Sequence, residues 1–77
     1  MNAPTTKTVG IVLNGEPRQV PEGLCVRRLL EFLEIDPSRV AVELDREIVP
    51  KAQWDAVTVT HGASLEVVWF VGGGTGR

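Results

Sequence analysis

The chain has 77 residues, with 8 basic and 10 acidic side chains and a formal net charge of −2. This length predicts one small domain, and the charge balance argues against binding to nucleic acid or an anionic membrane through a basic field. Apolar residues make up 43% of the chain, whereas Cys and His each occur once. We therefore expect a folded cytoplasmic domain without an internal disulfide or a zinc site.

The first predicted elements are two strands joined by a tight turn. Alternating apolar side chains at Val9, Ile11 and Leu13 are typical of a half-buried strand. Asn14 and Gly15 both tolerate positive φ, which favours a type I′ hairpin turn. The return strand is expected over 16–20, because Pro21 has no N–H group for a sheet ladder.

One helix and three further strands are expected after the hairpin. An apolar stripe at i, i+3, i+4 and i+7 predicts an amphipathic helix that ends near Glu34 and carries an Arg27–Glu31 ion pair. The stripe consists of Val26, Leu29, Leu30 and Leu33. Strands are predicted at 40–44, 48–49 and 65–71, with a single helical turn at 51–54 whose Trp54 packs into the core.

The order of the elements predicts an α+β fold. A helix with one apolar stripe covers one face of a mixed sheet, here of four to five strands. If the first and last strands lie side by side in parallel, the fold is a β-grasp, or ubiquitin-like, roll. We expect a flexible arm at 1–7, the folded domain at 8–71 and a flexible glycine-rich tail at 72–77.

Four segments are distinctive: Val12-Leu13-Asn14-Gly15, Val20-Pro21-Glu22-Gly23 before the helix, Ile48-Val49-Pro50-Lys51-x-x-Trp54, and the final strand with Gly72-Gly73-Gly74. Together they resemble the ThiS family of small sulfur carriers in thiamine biosynthesis. The resemblance extends from about residue 9 to residue 74. The segment at 48–54 is its most specific part and favours the thiamine branch of these carriers.

The resemblance implies a protein co-substrate, not an enzyme. An E1-like adenylating enzyme would activate the carboxylate of the last glycine with ATP and Mg²⁺. A cysteine desulfurase or related donor would then supply sulfur, and the resulting thiocarboxylate would serve thiazole synthase. The chain itself would bind no cofactor and no metal, would contact neither nucleic acid nor membrane, and would be a monomer when alone.

The residues after the glycines depart from the family pattern. Thr75, Gly76 and Arg77 follow Gly74, whereas the resemblance implies a glycine carboxylate at the very end. These three residues are trimmed, or they block activation, or they are an expression remnant. We expect attachment of sulfur at Gly74, with Gly73 as the second choice.

Strand alternation also predicts a docking surface next to the tail. Val68 and Phe70 are expected on the sheet face opposite the helix, where exposed apolar groups often mark partner surfaces. The partner would also contact Val71, Gly72 and Gly73. Cys25 is interpreted as a small apolar substitute at the helix N-cap, and His61 as a solvated turn residue.

Two other functions remain open at this point. One is sulfur carriage for another pathway, such as molybdopterin synthesis, tRNA thiolation or cysteine synthesis. The other is a β-grasp adaptor that binds proteins through its open sheet face and is never activated at its terminus. The residues after Gly74 are the feature that favours the adaptor.

Overall fold

The computed structural model describes residues 7–70, which form a five-stranded mixed sheet with one α-helix. The strands are β1 (Thr8–Leu13), β2 (Glu16–Pro21), β3 (Val40–Leu44), β4 (Glu47–Ile48) and β5 (Ser64–Trp69), and the helix is α1 (Val26–Phe32). Two 3₁₀ turns lie at Pro37–Arg39 and Lys51–Gln53. The expected tail at 72–77 and all but one residue of the expected arm lie outside the described residues.

The strand order in the sheet is β2-β1-β5-β3-β4. β1 and β5 are parallel neighbours at the centre, whereas the β1–β2, β3–β4 and β3–β5 pairs are antiparallel. Asn14 and Gly15 have φ of 49° and 82°, as the predicted type I′ turn requires. The arrangement confirms the β-grasp roll expected from the order of the elements.

Helix α1 covers the sheet with the predicted stripe. Val26, Leu29 and Leu30 are completely buried, and Leu33 is half-buried at the end of the helix. Trp54 is also buried, and its indole N–H donates to the carbonyl of Val49 at 2.9 Å. Trp54 is therefore a core residue whose one polar atom is satisfied.

A Schellman motif ends the helix just before the predicted position. Glu34 has a φ of 61°, its N–H donates to the carbonyl of Glu31, and the N–H of Ile35 donates to the carbonyl of Leu30. This pair of hydrogen bonds satisfies carbonyls that the helix leaves without partners. It also turns the chain so that Leu33 and Ile35 pack, half-buried, against the core.

Two sequence predictions are wrong in detail. The guanidinium of Arg27 pairs with Asp55 at 2.7 Å, not with Glu31. The backbone N–H of Arg27 donates to the carbonyl of Trp54, which holds the start of the helix against the turn that carries Asp55. Glu31 pairs instead with Arg28 at 2.9 Å, and this hydrogen bond raises the pKa of Arg28. The strand bounds also differ: β2 includes Pro21, which an edge strand tolerates. β4 lies at Glu47–Ile48, not 48–49, and β5 at Ser64–Trp69, not 65–71.

Replacement of Leu30 tests the packing of the helix on the sheet. Leu30→Ala is expected to lower the free energy of unfolding by about 2–5 kcal/mol, because it leaves a cavity in a completely buried site. Phe32→Ala on the same helix is the matched control, since half of the Phe32 side chain is exposed. Urea unfolding measures both variants, and an equal loss for the two would contradict this packing.

Candidate functional site

The candidate site is the tail root, which we define as Val68, Trp69 and Phe70, the last described residues before the glycines. On one side the tail root continues the ladder with β3, where Val68 pairs with Ala41 and Trp69 with Val40. The N–H of Phe70 donates to the carbonyl of Arg39 at 2.9 Å. Backbone hydrogen bonds therefore hold the chain up to Phe70.

On its other side β5 continues beyond the end of β1. The register of the parallel pair ends at Leu13, which lies opposite Leu65. The chain of β1 then enters the hairpin turn, whereas β5 runs on for four more residues. The tail root consequently has a strand neighbour on only one side.

The side chain of Asn14 replaces the missing backbone partner at Val67. Its amide oxygen accepts the N–H of Val67 at 2.7 Å, and its amide nitrogen donates to the carbonyl of Val67 at 3.2 Å. An amide group can supply both an acceptor and a donor in this way. Asn14 thus extends the parallel ladder to the residue just before the tail root, a contact that sequence reasoning missed.

His61 extends the same ladder at its opposite end. The N–H of Gly10 donates to Nδ1 of His61 at 3.0 Å, and the N–H of Gly62 donates to the carbonyl of Gly10 at 2.8 Å. His61 is exposed, as expected for a turn residue, but its hydrogen bond was not predicted. A Cβ at Gly10 would be in ordinary contact with the His61 ring, at 3.5 Å from Cε1, so this hydrogen bond does not itself require glycine.

The predicted docking residues lie where strand alternation places them. Val68 is 52% exposed and Phe70 is 58% exposed, whereas Leu65 and Val67, which alternate with them, are buried beneath the helix. The open sheet face therefore presents two large apolar side chains at the tail root. The other predicted contact and attachment residues, Val71, Gly72, Gly73 and Gly74, lie outside the described residues.

Trp69 makes the opposite side of the tail root apolar as well. Its position in the strand puts it on the helix side with Leu65 and Val67, yet half of its surface is exposed. Period-two alternation places Trp69 on this side but does not reveal that the helix leaves it uncovered. An apolar side chain is thus exposed on each face of the sheet within three consecutive residues.

Other candidate groups have structural explanations or lie elsewhere. Cys25 is the half-buried N-cap of α1, and its side chain makes no capping hydrogen bond, which fits the interpretation as an apolar substitute. Two hydrogen bonds from Ser38 lower the pKa of Asp36, in the turn before β3. Within residues 7–70, no three or more His, Cys, Asp or Glu side chains are grouped to hold a metal ion.

No helix in the described part of the chain is long and apolar enough to span a membrane. Comparison with family models gives a match to the ThiS family over residues 11–74, which includes the tail root and the three glycines. The chain belongs to the ThiS family. This confirms the family inferred from the hairpin, the segment at 48–54 and the final strand, and with it a ThiS-family sulfur carrier.

Solved structures agree with this assignment. The crystal structure of the thiamine biosynthesis protein ThiS from Geobacter metallireducens is 36% identical, with a TM-score of 0.77, and the match covers 86% of this chain and 100% of that one. Its solution structure is 35% identical over 90% of this chain and 92% of that one, with a TM-score of 0.73. The β-grasp fold of the ThiS family is therefore shared over nearly the whole of each chain.

Two sequence relatives are thiazole synthases, and both are much longer than this chain. The thiazole synthase of Paramagnetospirillum magneticum is 45% identical over 65 residues, which are 84% of this chain but 20% of that protein. The chain therefore spans about a fifth of the length of this relative. The thiazole synthase of Magnetococcus marinus matches similarly, at 39% identity over 20% of its length.

Replacement of Asn14 tests its role at the tail root. Asn14→Gly keeps the positive φ of the turn without strain but removes both hydrogen bonds to Val67. We expect amide hydrogen exchange at Val67 to become faster and the free energy of unfolding to fall by about 1–3 kcal/mol. The backbone N–H of Ser64, which donates to Asp45, is the internal control. Its exchange rate should be unchanged once the change in global stability has been subtracted.

Proposed function

We propose that this ThiS-family chain carries sulfur as a thiocarboxylate on its terminal glycine and delivers it for formation of the thiazole ring of thiamine. The observation that carries the proposal is the placement of the glycine segment. In the sequence it begins three residues after the end of the central strand β5, and backbone hydrogen bonds hold the chain up to Phe70. The family match, which extends through Gly74, supports the same conclusion.

The chemistry explains why the attachment point is a glycine. A chain-terminal carboxylate has no side chain to activate it, so activation comes from an E1-like enzyme that uses ATP and Mg²⁺. The carboxylate oxygen bonds to the α-phosphorus of ATP and pyrophosphate leaves. A persulfide on a cysteine desulfurase or related donor then attacks the carbonyl carbon and AMP leaves. Thiols, which are oxidised to a disulfide, reduce the resulting acyl disulfide to the thiocarboxylate. Glycines permit this because no Cβ obstructs the approach of the chain to the reacting groups.

Gly74 is the proposed attachment point, and Gly73 is the second choice. Residues 75–77 would have to be removed first, since the adenylated carboxylate in this mechanism belongs to the glycine. Chain length permits the carboxylate to reach a buried site, because four extended residues from Phe70 to Gly74 span about 14 Å. The chain then acts as a protein co-substrate of its partner enzymes.

The open face of the tail root is the proposed docking surface for the adenylating enzyme. An enzyme that takes the glycines must approach Val68 and Phe70, whose exposed side chains supply apolar area beside the tail. Val71, Gly72 and Gly73 would enter the enzyme with the reacting carboxylate. Thiazole synthase is proposed as the enzyme that accepts the sulfur, and the two thiazole synthases that contain a similar segment support it.

Truncation of the tail tests the proposed function. A chain that ends at Gly74 is expected to form the acyl-adenylate with ATP and the E1-like enzyme of the same cell, and then to gain the mass change of one oxygen-to-sulfur exchange. The chain that ends at Arg77 should react poorly until it is trimmed. A chain that ends at Gly72 is the matched control and should fold normally without being adenylated. Intact-protein mass spectrometry distinguishes the three.

Three outcomes would contradict parts of the proposal. Equal sulfur transfer to Arg77 and to Gly74 would show that trimming is unnecessary. If an adenylating enzyme that is active on another carrier adenylates none of the three chain lengths, the adaptor function is favoured. A chain that is adenylated but does not support thiazole formation would identify a sulfur carrier of another pathway.

Substitution on the open face tests the docking surface. Phe70→Asp is expected to raise the KM of the adenylating enzyme for the carrier by about tenfold or more, because it places a charge in an apolar contact. The free energy of unfolding of the variant should be within about 0.5 kcal/mol of the wild-type value, since Phe70 is largely exposed. Ile48→Asp, on the same face but on the edge strand β4, is the control and should leave KM unchanged.

A further inference from the structure

A cleft of about 370 Å³ lies beside the tail root on the helix side of the sheet. It forms where β1 turns away at Asn14 while β5 continues to Trp69, and where α1 has already ended at Phe32. The walls combine apolar groups from three elements with charged groups from β2. They are Leu13, Asn14, Glu16, Arg18, Leu33, Ile35 and Trp69.

The lining of the cleft is about half polar and half apolar, and its apolar part lies around Trp69. Trp69 presents a half-exposed indole, and the Schellman turn after the helix brings Leu33 and Ile35 beside it. The volume is within the range of sites that accommodate a large side chain or a small molecule. A half-exposed tryptophan in such a recess is well suited to pack against a further apolar group.

Two opposite charges lie at the mouth of the cleft. Glu16 and Arg18 are opposite Leu13 and Ile11 in the hairpin register, so both side chains project on the helix side of β2. Both residues are exposed, and within residues 7–70 neither forms an ion pair. The guanidinium of Arg18 can therefore receive a carboxylate from a partner in a bidentate arrangement.

Chain length limits how far a tail-binding enzyme can be from this cleft. The carboxylate of Gly74 is four residues beyond Phe70 and thus at most about 14 Å from it along an extended chain. Trp69 immediately precedes Phe70, on the other face of the sheet. An enzyme that encloses the glycines consequently meets both faces of the tail root.

We propose that the cleft is a second docking site, which receives an aliphatic or aromatic side chain of the adenylating enzyme with a carboxylate of that enzyme beside Arg18. The proposal rests on the proposed function, because it requires an enzyme that takes the tail. It adds a contact on the helix side to the open-face surface of Val68 and Phe70. The two contacts bind both faces of the tail root and fix the direction in which the glycines enter the enzyme.

Enzyme kinetics with two cleft variants test the proposal. Trp69→Thr removes the indole and keeps a residue that favours strands, and Arg18→Glu reverses the charge at the mouth without touching the core. In a chain that ends at Gly74, each is expected to raise the KM of the adenylating enzyme for the carrier by about tenfold while kcat stays within twofold. Ile48→Thr is the matched control and should leave both constants unchanged. Thermal unfolding verifies that each variant folds.

Fluorine NMR gives a direct readout of the cleft in the wild-type side-chain background. The chain has two tryptophans, and Trp54 is buried whereas Trp69 is half exposed. In a 5-fluorotryptophan-labelled chain that ends at Gly74, the Trp69 signal should be relaxed by a soluble gadolinium chelate. Formation of the complex should protect that signal, with Trp54 as the internal reference.

The outcomes separate this proposal from the function on which it rests. Normal adenylation of the wild-type chain together with unchanged KM for both cleft variants would overturn the cleft proposal alone. A Trp69 signal that stays accessible to the chelate in the complex would do the same. If the wild-type chain that ends at Gly74 is not adenylated, the proposed function fails and the cleft proposal fails with it.

Discussion

The short parallel pairing of β1 with β5 is the constraint on which the rest of the structure depends. Two residue pairs, Val12–Ser64 and Leu13–Leu65, define its register. It joins residues more than 50 positions apart, so its loop-closure entropy is large compared with that of the hairpin. Only this pairing makes β5 the central strand, because β1 carries β2 on one side and β3 carries β4 on the other.

Side chains lengthen this pairing at both ends. His61 accepts the N–H of Gly10 at one end, and the amide of Asn14 makes two hydrogen bonds with Val67 at the other. Each contact satisfies a backbone group where the parallel strands have diverged. The Asn14 contact is the one next to the proposed site, since it supports β5 at the last residue before the tail root.

Local patterns predicted the elements, and their order predicted the parallel neighbours β1 and β5, whereas specific side-chain contacts between distant elements escaped prediction. The Asn14-Gly15 turn, the apolar stripe of α1 and the alternation of β5 are set by neighbouring residues, and the structure agrees with them. The Arg27–Asp55 ion pair and the Asn14–Val67 contact depend on which elements the fold brings together. Periodicity within one segment contains no information on such pairs.

The end of the helix shows a second limit. A Schellman motif commonly has glycine at the position with positive φ, but here Glu34 occupies it. The usual sequence signal for the end of the helix is therefore missing. The same turn shapes one wall of the cleft through Leu33 and Ile35, so the cleft could not be predicted either.

The core and the proposed docking surface are formed by consecutive residues at the end of β5 and just after it. Leu65 and Val67 are buried and belong to the core, whereas Val68, Trp69 and Phe70 are half or more exposed. The boundary falls at Val67, where the hydrogen bonds of Asn14 end the support from the β1 side. Beyond it, a side chain can change with little loss of core packing, while the ladder with β3 still holds its backbone. In so small a domain, where one core substitution can remove much of the stability, this division would let the proposed docking surface change to suit a partner enzyme at low cost to the fold.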